Sequence, residues 1–384
     1  MSQNLNYQII SKPAGPSCNM DCTYCFYLEK EQLFAPLPTQ DVPLRIMSEP
    51  ILETYIQKKL NTESSSEQSF IWQGGEPTLL GLEYFEKVVA LQQKHARGKG
   101  IQNAVQTNGV LLNDEWCEFF AKHNFLVGIS IDGPRELNDK YRVNKAGDST
   151  FDKVVEGVAL LKKHQVEFNT LTTVHKGNAD HALEIYRFLK ELGSRFMQFI
   201  PIVEKNNDMS VDSKQYGDFL VAIFDEWVSQ NVGHIFVQNF DVALEAWSGL
   251  PSSLCVFAET CGTAPVLEHN GDMYACDHYV EPKYKIGNIL DDELPTIMQS
   301  PQQVAFGQDK LDQLHPKCIR CDYRFACHGG CPKDRILTTT ESDNKLNYLC
   351  DGYTRFFEHI DPQMKFMANE IRHRRAPANV MITQ

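Results

Sequence analysis

Residues 18–27 read Cys-Asn-Met-Asp-Cys-Thr-Tyr-Cys-Phe-Tyr, placing Cys18, Cys22 and Cys25 in a C-x-x-x-C-x-x-C run. Three thiolates so closely spaced can wrap one corner of an iron–sulfur cubane but supply only three ligands for four irons. A 4Fe–4S cluster held this way keeps one iron open for a non-protein ligand. The competing reading is a zinc site completed by a distant residue. Phe26 and Tyr27 beside the third cysteine, and the glycine-rich turns further on, favour the cluster.

Around this run the chain alternates between two patterns. Short β-rich runs lie at Tyr7–Ile10, Ser69–Trp72, Gln102–Gln106, Leu126–Ile131, Phe168–Val174 and Phe196–Ile202. Helical spacing of apolar residues separates them, through Leu82–Leu91 and Val154–Leu161. Asn113 is expected to cap one helix, and Ser149 precedes Asp152 at capping-box spacing. Strands alternating with helices imply βαβ units and a parallel sheet. Six units are too few for the eight-stranded barrel, so an open, partial (β/α)6 barrel is expected. Such folds carry their chemistry at the C-terminal strand ends. There the three cysteines follow the first strand, Gly74–Pro77 (GGEP) the second, Thr107–Gly109 (TNG) the third and Ser130–Gly133 (SIDG) the fourth.

The 384 residues carry 37 Lys+Arg against 50 Asp+Glu, a net charge of −13, which excludes a general nucleic-acid or anionic-membrane binder. With 42% hydrophobic and 23% charged residues the chain can build a large core. No apolar run approaches the roughly 18 residues of a membrane span. The start, MSQNLNYQIISKPAG, lacks the basic and apolar regions of a secretory signal, so a cytoplasmic location is expected. In a reducing cytosol, clustered cysteines hold metal or do redox chemistry rather than form disulfides.

Of the twelve cysteines, Cys117 stands alone in the amphipathic stretch NDEWCEFFAKH, where a buried structural thiol is expected. Eight others fall late in the chain: Cys255, Cys261, Cys276, Cys318, Cys321, Cys327, Cys331 and Cys350. Helices are expected at Ser213–Gln230 and Asp241–Trp247. From Cys255 the chain turns loop-rich and would be organised around metal. The basic run Arg372–Arg375 reads as a solvated helix end.

CNMDCTYCFY, with GGEPTL, TNG and SIDG on later strand ends, resembles the radical S-adenosylmethionine (radical SAM) enzymes. The resemblance implies that SAM chelates the open iron and is cleaved to methionine and a 5′-deoxyadenosyl radical. It implies SAM contacts at Tyr24 (adenine), at Gly74, Gly75 and Glu76 (methionine end), and at Ser130 and Arg142 (ribose or carboxylate). The Met197–Ile200 segment is expected to offer backbone groups to the adenine. The competing reading of Arg142 is a surface ion pair.

The late cysteine set resembles the SPASM domain, the C-terminal extension of peptide-modifying radical SAM enzymes. That resemblance implies two auxiliary 4Fe–4S clusters, one on Cys255, Cys261, Cys276 and Cys331, the other on Cys318, Cys321, Cys327 and Cys350. With the first three thiolates, every cysteine but Cys117 is then used. Structural zinc in place of one cluster is the alternative. The implied boundaries are 1–235 for the barrel and 236–384 for the SPASM domain with its C-terminal helix.

The stretch EHNGDMYACDHYV (Glu268–Val280), followed by Gly287–Ile289, resembles the anaerobic sulfatase-maturating enzymes. The implied reaction oxidises a cysteine or serine in a sulfatase C/S-x-P-x-R motif to Cα-formylglycine. Cβ hydrogen abstraction is followed by deprotonation and electron transfer to an auxiliary cluster. Asp277 is the implied proton acceptor, against the plainer reading of an Asx-turn residue bracing the cluster loop. His278 is a weaker candidate for that role, and Tyr27 and Gln73 are expected to help hold the peptide. The implied partners are an unfolded or nascent sulfatase polypeptide and reduced flavodoxin or ferredoxin as electron donor. The rival readings are another SPASM peptide maturase and a multi-cluster electron carrier.

Overall fold

The computed structural model describes residues 7–34, 45–63, 65–204 and 208–382. The chain forms two compact units, each discontinuous in sequence. The first comprises Met1–Ser130, Tyr141–Phe168 and Gly262–Gly307, the second Ile131–Lys140, Asn169–Cys261 and Gln308–Gln384.

In the first unit, strands β1 (Ile10–Lys12), β2 (Glu67–Trp72), β3 (Gly100–Thr107) and β4 (Phe125–Ser130) pair in parallel, in that order. Each is followed by a helix: Glu49–Thr62, Leu82–His95, Asp114–Lys122 and Phe151–Lys163. Trp72 decides how this layer packs. It is fully buried, stacked 6.1 Å from Phe70 and edge-on to Tyr55 and Phe85. Its indole N–H donates to Asn103 Oδ1 at 2.8 Å, so the one polar group of the ring is satisfied. Burial of each such ring contributes about 2 kcal/mol. On its other edge β1 pairs with Val266–Glu268, which turns back through Asp272–Tyr274 and Lys285–Asn288.

The second unit holds β5 (Phe168–Val174) from Asn169 onward and β6 (Phe196–Pro201), parallel and in register from Thr170↔Met197 to Val174↔Pro201. Their helices are Ala182–Leu192 and Ser213–Gln230. Helix Ser213–Gln230 crosses the C-terminal helix Cys350–Arg372 closely, because a Cβ at Gly352 would stand 2.0 Å from the Ser213 carbonyl oxygen. Only glycine lets the two backbones approach so far.

The expected elements are found, with two corrections. The first strand is Ile10–Lys12, not Tyr7–Ile10, because ladder pairing with β2 begins only at Ile10↔Ile71. That shift puts Lys12 at the strand end. Ser149 is not the cap of its helix. The cap position belongs to Thr150, which makes no side-chain cap bond because its hydroxyl donates to the Arg142 carbonyl at 3.2 Å. Asn113 does cap, accepting from the Trp116 N–H at 2.9 Å. The late segment is loop-rich in part, but it also holds the helix Pro301–Asp312, which was not expected, and the last helix buries an apolar stripe through Tyr353, Phe356, Ile360 and Met364. Metal is therefore not its only organiser. Cys117 is fully buried, and burial pushes its thiol up to about 11, as befits a structural residue. Of the basic run, Arg375 is tied back to Glu370.

Candidate active site

The loop after β1 carries the three early cysteines and is held from both sides. Asp21 N–H donates to the Val143 carbonyl at 2.9 Å, and Thr23 N–H to Tyr141 at 3.3 Å. Within the loop, Cys25 N–H donates to the Cys22 carbonyl at 2.9 Å. The Cys18 sulfur receives the Met20 N–H at 3.4 Å and the Asn108 side-chain amide at 3.8 Å. Burial pushes the Cys18 thiol up to about 12, with Glu76 and the thiols of Cys22 and Cys25 adding to the shift. A thiol so placed is deprotonated only if a cationic group compensates it, and iron does so. Donors aimed at the sulfur are also what an iron–sulfur cluster uses. The donor set fits the cluster. Among the described residues, no three His, Cys, Asp or Glu side chains converge on a single ion. A cubane does not ask for that, because each thiolate binds its own iron.

The GGEP turn lies against the same loop. Gly75 N–H donates to Gly15 and Glu76 N–H to Ser17, both at 2.8 Å. A Cβ on Gly75 would stand 2.0 Å from the Ser17 carbonyl oxygen, so this approach requires glycine. Glu76 is buried, and both its oxygens are spent within the chain. One accepts from Thr78 N–H (3.0 Å), Thr78 Oγ1 (2.6 Å) and Thr107 Oγ1 (2.7 Å), the other from Asn108 N–H (2.7 Å). One carboxylate thus ties the GGEP and TNG strand ends together. Arg142 is buried rather than a surface ion pair, and its guanidinium donates to Tyr24 Oη at 2.9 Å. Ser130 Oγ accepts from Gln106 Nε2 at 2.9 Å. Met197 lies in the second unit, its side chain buried on β6.

Asp277 opens a short 3-10 turn directly after Cys276. Its carboxylate pairs with Lys12, which is 1% exposed and sits 3.8 Å above the Tyr27 ring. Burial alone would push the Asp277 carboxyl up, but Lys12, His278 and Lys30 outweigh it and hold it below its ordinary value. Tyr27 Oη donates to Glu268 at 2.5 Å, so its hydroxyl is turned to a buried carboxylate. His278 packs against Phe26, ring centroids 5.1 Å apart.

In the second unit, Cys318, Cys321, Cys327 and Cys350 line one cavity, with Tyr353 and Phe357 among its walls. These are the four residues expected to share a cluster. Cys255, Cys261 and Cys331, also in this unit, are coupled electrostatically, and burial pushes Cys331 up to about 12. Cys276 belongs to the first unit.

Sequence reasoning missed Lys12, Asn108 and Glu268. Lys12 had a legible signal, a lysine one turn ahead of the cysteine loop at the end of an apolar strand. Asn108 lay inside the TNG strand-end motif, which was read as part of the chemistry-bearing rim with no role given to the Asn108 side chain. Nothing in the sequence marked Glu268 as the partner of Tyr27.

The chain matches the Radical SAM superfamily over residues 13–189 and SPASM, an iron–sulfur cluster-binding domain, over residues 255–322. Fold and site together define a radical SAM enzyme, a partial (β/α)6 barrel carrying a C-terminal SPASM domain. It is 44% identical to the serine-type anaerobic sulfatase-maturating enzyme of Bacteroides thetaiotaomicron, over 97% of this chain and 94% of that one. Identity to the cysteine-type anaerobic sulfatase-maturating enzyme of Clostridium perfringens is 36%, over 95% and 99%. The solved structure of native anSMEcpe with bound AdoMet and Cp18Cys peptide superposes with a TM-score of 0.84 at 35% identity, covering 94% of this chain and 99% of that one. The chain belongs to the anaerobic sulfatase-maturating enzymes. No helix among the described residues is long and apolar enough to cross a membrane.

Proposed function

We propose that this enzyme oxidises the side chain of a cysteine or serine, within a C/S-x-P-x-R motif of an unfolded or nascent sulfatase, to Cα-formylglycine. The observation that carries the reading is the buried Lys12–Asp277 pair beside the ligand Cys276, in the same unit as the three-cysteine loop. Cys18, Cys22 and Cys25 would hold the SAM-binding cluster. Cys255, Cys261, Cys276 and Cys331 would hold one auxiliary 4Fe–4S cluster, and Cys318, Cys321, Cys327 and Cys350 the other. When bound, these groups supply the 5′-deoxyadenosyl radical that takes a Cβ hydrogen atom, and an acceptor for the electron that must follow.

The chain's own residues bind, orient and move the proton. Gly74 and Gly75 let the backbone approach the methionine end of SAM. Glu76, braced by Thr78, Thr107 and Asn108, meets the methionine end of SAM with them. Tyr24 faces the adenine, steadied by Arg142, and Ser130 and Arg142 reach the ribose or carboxylate. The backbone around Met197 completes the adenine contact. Asp277 accepts the substrate thiol or hydroxyl proton, while Tyr27 and Gln73 help hold the peptide. Residues 1–235 form the barrel part and 236–384 the SPASM part of a cytoplasmic enzyme that draws electrons from flavodoxin or ferredoxin.

Incubating the reduced, iron-reconstituted protein with SAM and each motif peptide tests the reading by mass spectrometry. The expected serine product has lost two hydrogens, and the expected cysteine product has lost two hydrogens and, by hydrolysis that releases sulfide, exchanged its sulfur for a water oxygen. Unmodified peptides alongside copious 5′-deoxyadenosine would refute it. Replacing all eight late cysteines should lower iron from about twelve to about four per chain. Unchanged iron would show that the late set binds something else, such as zinc.

A further inference from the structure

Among the described residues, the second unit turns two cations inward with no carboxylate partner, Lys310 and Arg335. Lys310, on helix Pro301–Asp312 and 1% exposed, donates from Nζ to the carbonyls of Cys255 (2.7 Å) and Val256 (2.9 Å). Arg335 is partly buried. Its guanidinium donates to the carbonyls of Lys310 (2.8 Å), His328 (3.2 Å) and Gly329 (3.3 Å). A Cβ on Gly329 would stand 2.9 Å from an Arg335 nitrogen, so the guanidinium is wedged into the turn between Cys327 and Cys331. His328, Gly329 and Gly330 all have positive φ, and that left-handed turn aims its carbonyls at the guanidinium.

All these acceptors are neutral, and among the described residues no carboxylate lies within ion-pair distance of either cation. The neighbouring carboxylate Asp334 is already paired with Lys333 at 2.9 Å. Lys317, which also borders the late cysteines, is by contrast half exposed and paired with Asp351 at 2.9 Å. Burying an unpaired cation is costly, and buried charges are retained where a counter-charge meets them. The groups that meet these two are cysteines. Lys310 sits on the backbone of Cys255, and Arg335 is wedged into the turn that joins Cys327 to Cys331.

We propose that Arg335 and Lys310 are the resident counter-cations of the auxiliary clusters, Arg335 serving both and Lys310 one, and that they raise the clusters' reduction potentials. The proposal rests on the reading of the late cysteines as ligands of two four-iron clusters. A cluster bound by four thiolates is an anion, and each one-electron reduction adds a negative charge. A fixed cation at close range stabilises the reduced form more than the oxidised one. The clusters then accept more readily the electron that the substrate radical gives up. Both residues are positioning residues in this sense and touch no substrate.

The test is an electron-paramagnetic-resonance redox titration of full-length, iron-reconstituted protein, with iron counted in each sample. In Arg335→Gln two couples should shift at least tenfold toward the oxidised form, a fall of about 59 mV each for a one-electron couple. In Lys310→Gln one couple should fall by a similar amount. Arg335→Lys keeps the charge and loses the fork, so it should keep the wild-type midpoints. Wild-type protein with a single four-iron couple would refute the cluster reading itself, before any variant is compared. Three couples in the wild type, unmoved in both neutral variants, would overturn only the counter-cation proposal. So would an Arg335→Lys variant that falls as far as Arg335→Gln, since the turn rather than the charge would then be at work. If Arg335→Gln sheds its iron, Lys310→Gln decides. An unmoved couple there, or iron loss in Arg335→Lys as well, overturns the proposal.

Discussion

Alanine in place of Cys18, Cys22 or Cys25 is expected to abolish reductive SAM cleavage, measured as 5′-deoxyadenosine released from the reduced, iron-reconstituted protein. On the proposed reading these three thiolates are the cluster's protein ligands, and the fourth iron stays open for SAM. The size of the effect can be bounded from below. Removing a group that hydrogen-bonds a metal ligand costs about 10–100-fold. Asn108, whose amide donates toward the Cys18 sulfur at 3.8 Å, is such a group. Asn108→Ala should therefore fall in that range, and loss of a ligand itself should exceed it. A triple-alanine variant that still releases the nucleoside at the wild-type rate would refute the assignment. An Asn108→Ala defect as deep as that of Cys18→Ala would mean that the loop's shape, rather than ligation, is being measured.

The barrel was legible because its signals are local. Alternation of strand and helix patterns, the Asn113 cap and the glycine turns each act within a few residues of sequence. The close spacing of Cys18, Cys22 and Cys25 was legible for the same reason, whereas the grouping of the late cysteines, from Cys255 to Cys350, came from the family resemblance alone. Interactions between distant segments were not. Glu76 was expected to contact SAM, and nothing local showed that it also accepts from four donors drawn from Thr78, Thr107 and Asn108. Ser149 looked like a cap because capping boxes are recognised by spacing. The competing bond from Thr150 to the Arg142 carbonyl involves a partner that no local window contains. Arg335 and Lys310 were invisible for a related reason. A lysine or arginine in a loop-rich segment is ordinarily solvated, and only the fold shows these two turned inward with carbonyls around them.

Asp277→Asn is expected to keep its iron, still cleave SAM, and form formylglycine about 10²–10⁴-fold more slowly, the usual worth of a positioned general base. After hydrogen abstraction the substrate holds an unpaired electron on Cβ. Losing that electron to give a carbonyl equivalent is easier if the thiol or hydroxyl proton leaves as well, so a base within hydrogen-bond reach is required. Asp277 has the attributes of one. It directly follows Cys276, and its carboxylate faces Lys12, which lies at the end of β1 and over the Tyr27 ring. His278 is less suited, because its ring is occupied against Phe26. The plainer role, a carboxylate that braces the cluster loop through Lys12, makes a different forecast. Asparagine cannot neutralise a buried lysine, so a purely structural Asp277 would show itself as lost iron and lost SAM cleavage together. The ratio of formylglycine to 5′-deoxyadenosine separates the two. A base lowers that ratio by orders of magnitude at constant iron, whereas a brace lowers both quantities in step. Wild-type formylglycine from Asp277→Asn, with iron intact, would remove the residue from the reaction and return the proton to solvent.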